Sequence, residues 1–130
     1  MISQPELSAN VDPKRLSHVA LKTFFNITQA WGCSSADEII LLGQPPRSTF
    51  YKWKKCQGEV VLPKDTFERI SYIFGIYAAL RLLFPTEVQA HAWPTKPNLA
   101  FQGKSALDIM RAGNVADLAL VRRYLDGMRG

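Results

Sequence analysis

The chain has 130 residues, enough for one compact domain or two very small ones. Hydrophobic residues make up 47% and charged residues 21%, which supplies a core and excludes a largely disordered chain. The formal net charge of +5 favours an anionic partner such as nucleic acid. Cys33 and Cys56 are the only cysteines, and neither has a Cys-x-x-Cys or Cys/His neighbour. They read as reduced thiols in a cytosolic protein, with no structural zinc. The stretch from Met1 to Asn10 is polar and has no signal-peptide pattern. The apolar stretch from Ile70 to Phe84 is broken by Ser71, Gly75 and Arg81, so no membrane span is expected.

In chain order, residues 1–11 read as a tail. Asp12-Pro13 opens a helix, because Asp accepts free N–H groups and Pro tolerates the first helical position. Its apolar face is expected at Leu16, Val19, Ala20, Phe24, Ile27 and Trp31, and Gly32 ends it. Ser35 with Glu38 is expected to form a capping box for a short helix that stops at Gly43. After the rigid Gln44-Pro45-Pro46 turn, Arg47 to Lys55 predicts another short helix with Phe50 and Trp53 inward. Pro63 opens the longest helix, to about Phe84, with Phe67, Ile70, Phe74, Tyr77, Ala78 and Leu82 on its apolar side. Thr86 to Ala92 adds a further turn of helix, and residues 93–103 are irregular. Ser105 and Asp108 cap a helix through Met110, and a last helix from Val115 aligns Leu118, Val121, Tyr124 and Leu125. No segment alternates as a strand does, so the expected fold class is all-α.

Between Cys33 and Cys56 a capped helix, a tight Gly-containing turn and a second short helix follow in the order of a helix-turn-helix. The second helix carries Arg47, Lys52, Lys54 and Lys55 and no acidic residue. With Phe50 and Trp53 inward, Arg47, Ser48, Tyr51, Lys52 and Lys55 are left outward. An Arg at such a helix start can read guanine, and Ser48 and Thr49 can bond phosphates or bases. Lys52, Lys54 and Lys55 are expected to make salt-sensitive phosphate contacts. The plainer alternative is a solvated basic helix.

The segment from Trp93 is more distinctive. It runs Trp93-Pro94, Lys96-Pro97-Asn98-Leu99-Ala100-Phe101, Gly103-Lys104-Ser105-Ala106-Leu107-Asp108-Ile109-Met110, Gly113, and a final helix with Val121-Arg122-Arg123-Tyr124-Leu125-Asp126-Gly127. This pattern resembles the toxin-binding domain of the Xre/MbcA/ParS antitoxin family, over about residues 80–130. Arg47-Ser48-Thr49-Phe50-Tyr51-Lys52-Trp53 resembles the family's Xre-like helix-turn-helix more loosely. Ala106 stands where the family usually has Pro, and Pro94 where it has Leu; both changes bear on local packing. The residues themselves read as scaffold: Pro97-Asn98 favours a turn, and Trp93, Leu99, Phe101 and Leu107 are expected to pack against the final helix.

The resemblance implies an Xre-like helix-turn-helix domain followed by a small helical toxin-binding domain in a cytoplasmic bacterial antitoxin. It implies operator DNA and a cognate RES-domain toxin as partners, the toxin attacking NAD and being blocked at its active site. The toxin-binding residues are then expected on the final helix and the chain end: Arg122, Arg123, Asp126, Met128, Arg129 and Gly130. A terminal carboxylate at Gly130 would mimic a phosphate in the NAD pocket. The division follows as residues 1–11 tail, 12–62 DNA-binding domain, 63–85 connecting and dimerisation helix, and 86–130 toxin-binding domain. A homodimer is expected from paired operator half-sites, with Ile73, Ile76 and Leu80 as exposed interface candidates. The alternatives are a stand-alone transcription regulator whose C-terminal module only dimerises, and a helical adaptor that binds no DNA. No catalytic residue, metal or cofactor is expected. Glu87 and His91 are four apart but have no partner group, and Gly103-Lys104-Ser105 lacks the first glycine of a phosphate loop.

Overall fold

The computed structural model describes residues 12–130. The tail and the absence of a signal peptide, both read from residues 1–11, lie outside the described residues. The described chain is all-α. Helices α1 (Pro13–Ala30), α2 (Ser35–Leu41), α3 (Arg47–Lys54), α4 (Lys64–Leu83) and α5 (Glu87–Ala92) are followed by two 3-10 turns, Trp93–Thr95 and Leu99–Phe101. Helices α6 (Ala106–Met110) and α7 (Val115–Arg129) complete it. One isolated antiparallel bridge pairs Pro97 with Ser105.

Helix α1 starts as the sequence dictates: the Lys14 N–H donates to the Asp12 carboxylate at 3.1 Å, with Pro13 in the first turn. Its buried face is Ser17, Leu21, Phe24, Ile27 and Thr28, with Trp31 just beyond. Leu16 and Val19, expected inside, are 39% and 52% exposed. The helix is turned so that Ser17 faces inward, because its hydroxyl accepts the Leu62 N–H at 3.0 Å and anchors the loop before α4.

The cap of α2 is Ser34, one residue before the expected Ser35. The Asp37 N–H donates to Ser34 Oγ at 3.1 Å, and the Ser34 N–H donates to Asp37 Oδ2 at 2.9 Å. With Asp37 in the capping box, Glu38 is free to turn inward. There Thr28 Oγ1 and Lys54 Nζ each donate to its carboxylate at 2.6 Å.

Helix α4 is the axis of the molecule and packs chiefly on α7 and α1. Its buried residues are Thr66, Ile70, Ile73, Gly75, Ile76, Ala79 and Leu80. The expected apolar stripe is corrected: Phe74 is 52% and Leu82 71% exposed. The expected dimerisation residues are corrected too, since Ile73 and Ile76 are 0% and Leu80 1% exposed, filled in by the chain's own helices. A helix sandwiched between two neighbours distributes its apolar residues around its circumference, so a single-stripe reading selects the wrong side. Gly75 gives α7 its close approach: a Cβ at this position would overlap the Arg122 guanidinium.

One hydrophobic core runs through the whole described chain, from Phe24 and Phe50 through Ile73 and Ile76 to Met110, Val121 and Leu125. Polar ties reinforce it. Arg69 Nη1 donates to the Gly113 carbonyl at 2.9 Å, and Arg111 Nε lies 2.9 Å from Asp37 Oδ1. Both join the N-terminal helices to the segment around α6.

Candidate functional site

Helix α3 is seated by Phe50 and Trp53, which are 0% and 6% exposed. Phe50 meets Phe25 of α1 edge-on, with centroids 5.9 Å apart. This anchoring leaves Arg47, Ser48, Tyr51, Lys52 and Lys55 exposed and Thr49 half-buried, as the three-residue spacing of the two anchors requires. Pro46 at the N-cap offers no side-chain bond, so no side chain competes for the first-turn N–H groups. The Arg47 guanidinium sits 5.9 Å from the Tyr51 ring centroid. The open end of α3 therefore combines a helix N-terminus, a cation and a hydroxyl, which together suit phosphate and base edges.

Lys54 stands apart from this group. Its ammonium is held 2.6 Å from Glu38 Oε1 and lies 5.7 and 5.6 Å from the Phe25 and Phe50 rings. It joins α3 to α2 while remaining partly open to solvent, whereas neither Lys52 nor Lys55 forms an ion pair among the described residues. Cys33 lies beside this junction, and burial, with Asp37 and Glu38 nearby, pushes its thiol up to about 12.

The second candidate region surrounds the start of α6. Trp93, Phe101 and Tyr124 form an aromatic cluster, with Phe101 and Tyr124 centroids 5.0 Å apart and Trp93 stacked on Tyr124 at 6.2 Å. Asn98 Oδ1 accepts the Ala100 N–H at 2.9 Å. Gln102 and Gly103 then take left-handed backbone, φ 59° and 86°, which returns the chain to its bridge with Pro97. Ser105 and Asp108 form a reciprocal capping box, as the sequence predicts. The Ser105 N–H and hydroxyl hold the Asp108 carboxyl below its ordinary value. Arg111 contacts Oδ1 of both capping aspartates, Asp37 at 2.9 Å and Asp108 at 3.2 Å, so one guanidinium ties the two capped helix starts together.

The final-helix residues divide between two sides. Arg122 and Arg129 both pair with Asp126, at 3.1 and 3.0 Å, on the side where Arg122 covers Gly75. Arg123 is on the other side, in an open cleft of about 540 Å³ with Phe101, Lys104, Ile109, Leu120 and Tyr124. Met128 is 49% exposed, and Gly130 is exposed. The residues singled out on α7 thus do not form one patch. Leu99 is a further correction: expected to pack inside, it is 95% exposed at the apex of its turn. Lys104 belongs to this region as well and was not singled out from the sequence. The turn signals around Asn98 and Gly103 mark a fixed loop, but they do not say which side its leucine faces.

Two family models match this chain. One, the antitoxin Xre-like helix-turn-helix domain, covers residues 11–75. The other, the antitoxin Xre/MbcA/ParS C-terminal toxin-binding domain, covers residues 79–130. The chain belongs to the Xre/MbcA/ParS-like antitoxins. It is similar to the curated "Uncharacterized protein y4oB" of Sinorhizobium fredii (strain NBRC 101917 / NGR234), at 52% identity over 110 residues, 85% of this chain and 84% of that protein.

This antitoxin has the family's order, a helix-turn-helix domain followed by a small helical toxin-binding domain. Its general role is that of an Xre-family antitoxin and regulator, and it is not an enzyme. Glu87 Oε1 lies 3.7 Å from both His91 Nε2 and Arg81 Nη1, and His91 Nε2 is buried with no hydrogen-bond partner among the described residues. Among the described residues no group of three or more His, Cys, Asp or Glu is placed to hold a metal ion. No described helix is long and apolar enough to cross a membrane. The two family matches meet within α4, so a single continuous helix carries both modules.

Proposed function

We propose that this antitoxin neutralises a RES-type, NAD-attacking toxin by blocking its active site, and represses its own operon through α3. The observation that carries the reading is the joining, in one chain and on one core, of a toxin-binding domain with a basic helix whose outer face is open. Arg47 reads a base edge, Ser48, Thr49 and Tyr51 contact the backbone or bases, and Lys52 and Lys55 neutralise phosphates. Lys54 contributes by positioning α3. On the toxin side Arg123 and the exposed end of α7, including Met128 and Arg129, are the contacts, while Arg122 and Asp126 pair with each other along α7, where Arg122 covers Gly75 of α4.

Co-expression with the product of the adjacent gene tests the first half, read by growth and co-purification. Arg47→Ala with Lys52→Ala is expected to lower operator affinity by at least about tenfold while growth rescue persists. Loss of both activities in a folded double variant would refute the division of labour between α3 and the C-terminal domain.

A homodimer is part of the same proposal, since paired half-sites call for two copies of α3. Its surface is sought at the apolar residues that α1 and α4 leave open, Leu16, Val19 and Phe74, which line a common groove. Their contact with a second copy would withdraw that strip from water while keeping α3 free. Val19→Glu is expected to shift the chain to monomer in light scattering while its circular dichroism keeps the wild-type helix content at 25 °C. An unchanged oligomer would exclude this surface.

A further inference from the structure

We propose that Leu99 is a docking knob that enters an apolar pocket on the toxin, while Lys104 and Arg123 receive a carboxylate at the border of that pocket. This rests on the reading of residues 79–130 as the toxin-binding domain, and it names the chemistry of the partner.

Exposed leucines are common on protein surfaces and by themselves need no explanation. Leu82 and Val88, at 71% and 78% exposure, are of that ordinary kind on the outer sides of helices. Leu99 differs in its support. At 95% exposure it has given up nearly all contact with its own chain, yet the turn that carries it is hydrogen-bonded at both ends. Asn98 caps the 3-10 turn through its side chain, and its backbone N–H bonds to the Lys104 carbonyl at 3.0 Å. Gln102 accepts a left-handed conformation that costs a non-glycine residue free energy, and the Phe101 ring below is locked against Tyr124. A turn held in this way that presents a leucine to water is pre-organised for association, because little conformational entropy remains to be lost on binding. A leucine of this kind, inserted in a desolvated pocket, has the properties of an interface hot spot.

The surroundings specify the partner. Beside the knob lies the open cleft of about 540 Å³, floored by Phe101, Ile109, Leu120 and Tyr124. Leu120 is itself 43% exposed there and extends the apolar surface. The cleft's charged lining is Lys104 and Arg123. Neither cation has a carboxylate within ion-pair distance among the described residues, whereas Arg69, Arg111, Arg122 and Arg129 all do. Two unpaired cations next to an apolar floor complement a segment with an apolar lip and an acidic side chain. Such charges act mainly on encounter rate and register, and the apolar knob on residence time.

The test measures binding of the antitoxin to a RES-type toxin identified as its partner by co-expression and growth rescue. Leu99→Asp is expected to weaken binding by at least about 30-fold, chiefly through faster dissociation. Lys104→Glu with Arg123→Glu is expected to slow association at low salt, with the difference from wild type shrinking at high salt. Val88→Asp, at another highly exposed apolar site, on α5, is expected to bind as wild type does. Circular dichroism and operator binding of all variants should stay unchanged. If wild type binds and neutralises the toxin but Leu99→Asp binds equally well, the knob is wrong and the antitoxin reading stands. If wild type itself fails to bind, both fall. If Val88→Asp weakens binding as much as Leu99→Asp does, the effect is not local to this loop and the proposal is overturned.

Discussion

Ile76→Asp is expected to unfold the chain. Ile76 is fully buried near the centre of α4, the helix that packs chiefly on α1 and α7. Removing a buried isoleucine's methyl groups costs roughly 2–5 kcal/mol. The new carboxylate must also be buried without a partner or protonated, and either route costs several kcal/mol more. The total approaches the about 5–15 kcal/mol of net stability that a domain of ordinary size possesses. Circular dichroism should show loss of helix at 25 °C, or a transition far below that of wild type. The sequence-based expectation was opposite in kind: an exposed interface residue would give a folded chain that had only lost self-association. A cooperative, monomeric Ile76→Asp with wild-type melting would restore that expectation and contradict the packing of α4. Val19→Glu, at a half-exposed position, is the companion that should remain folded.

The contrast between Ile76 and Phe74 shows what a one-dimensional pattern conveys. Caps and breaks are local, set by groups within three or four residues, so Asp12-Pro13, Gly43 and the Ser105–Asp108 box were legible. The inward pair Phe50 and Trp53 was legible too, because α3 is short and amphipathic and has only one side to bury. Helix α4 is not of that kind. It is apolar on more than one side, and which side meets α1 or α7 depends on residues far away in the chain. Glu38 was misread for a related reason. A serine followed three residues later by Glu satisfies the capping pattern, but Ser34 and Asp37 satisfy it one step earlier, and only the approach of Lys54 and Thr28 shows why Glu38 is then buried. The exposure of Leu99 was likewise beyond a pattern: an apolar residue in an apolar-rich motif reads as core until its turn is built. The family resemblance located the toxin-binding domain, yet the final helix singled out from it proves to have two differently employed sides.

Lys54→Met is expected to destabilise the helix-turn-helix and to weaken operator binding without altering its salt dependence. The Glu38 side chain is only 4% exposed, and Thr28 and Lys54 donate to its two oxygens. Breaking a fully buried ion pair by deleting one partner costs about 3–5 kcal/mol, because the other charge is stranded. Lys54 remains 39% exposed, so water screens part of the interaction, and about 1–3 kcal/mol is the fitting range. Adding Glu38→Gln should recover much of that loss, since the amide removes the stranded charge and its oxygen can still accept the Thr28 hydroxyl. The functional consequence follows from the same geometry. Lys54 fixes how α3 sits on α2, so its loss lets the reading helix shift and lowers affinity. A lysine engaged with a buried carboxylate does not contact phosphate, so no counterion release disappears with it, and the dependence of log affinity on log salt should keep its slope. Lys52→Met and Lys55→Met should each flatten that slope by about one phosphate contact while leaving the melting temperature unchanged. The pair of readouts separates positioning from contact. Should Lys54→Met flatten the slope and leave the thermal transition untouched, Lys54 would be a phosphate ligand after all, and its ion pair with Glu38 would open when DNA binds.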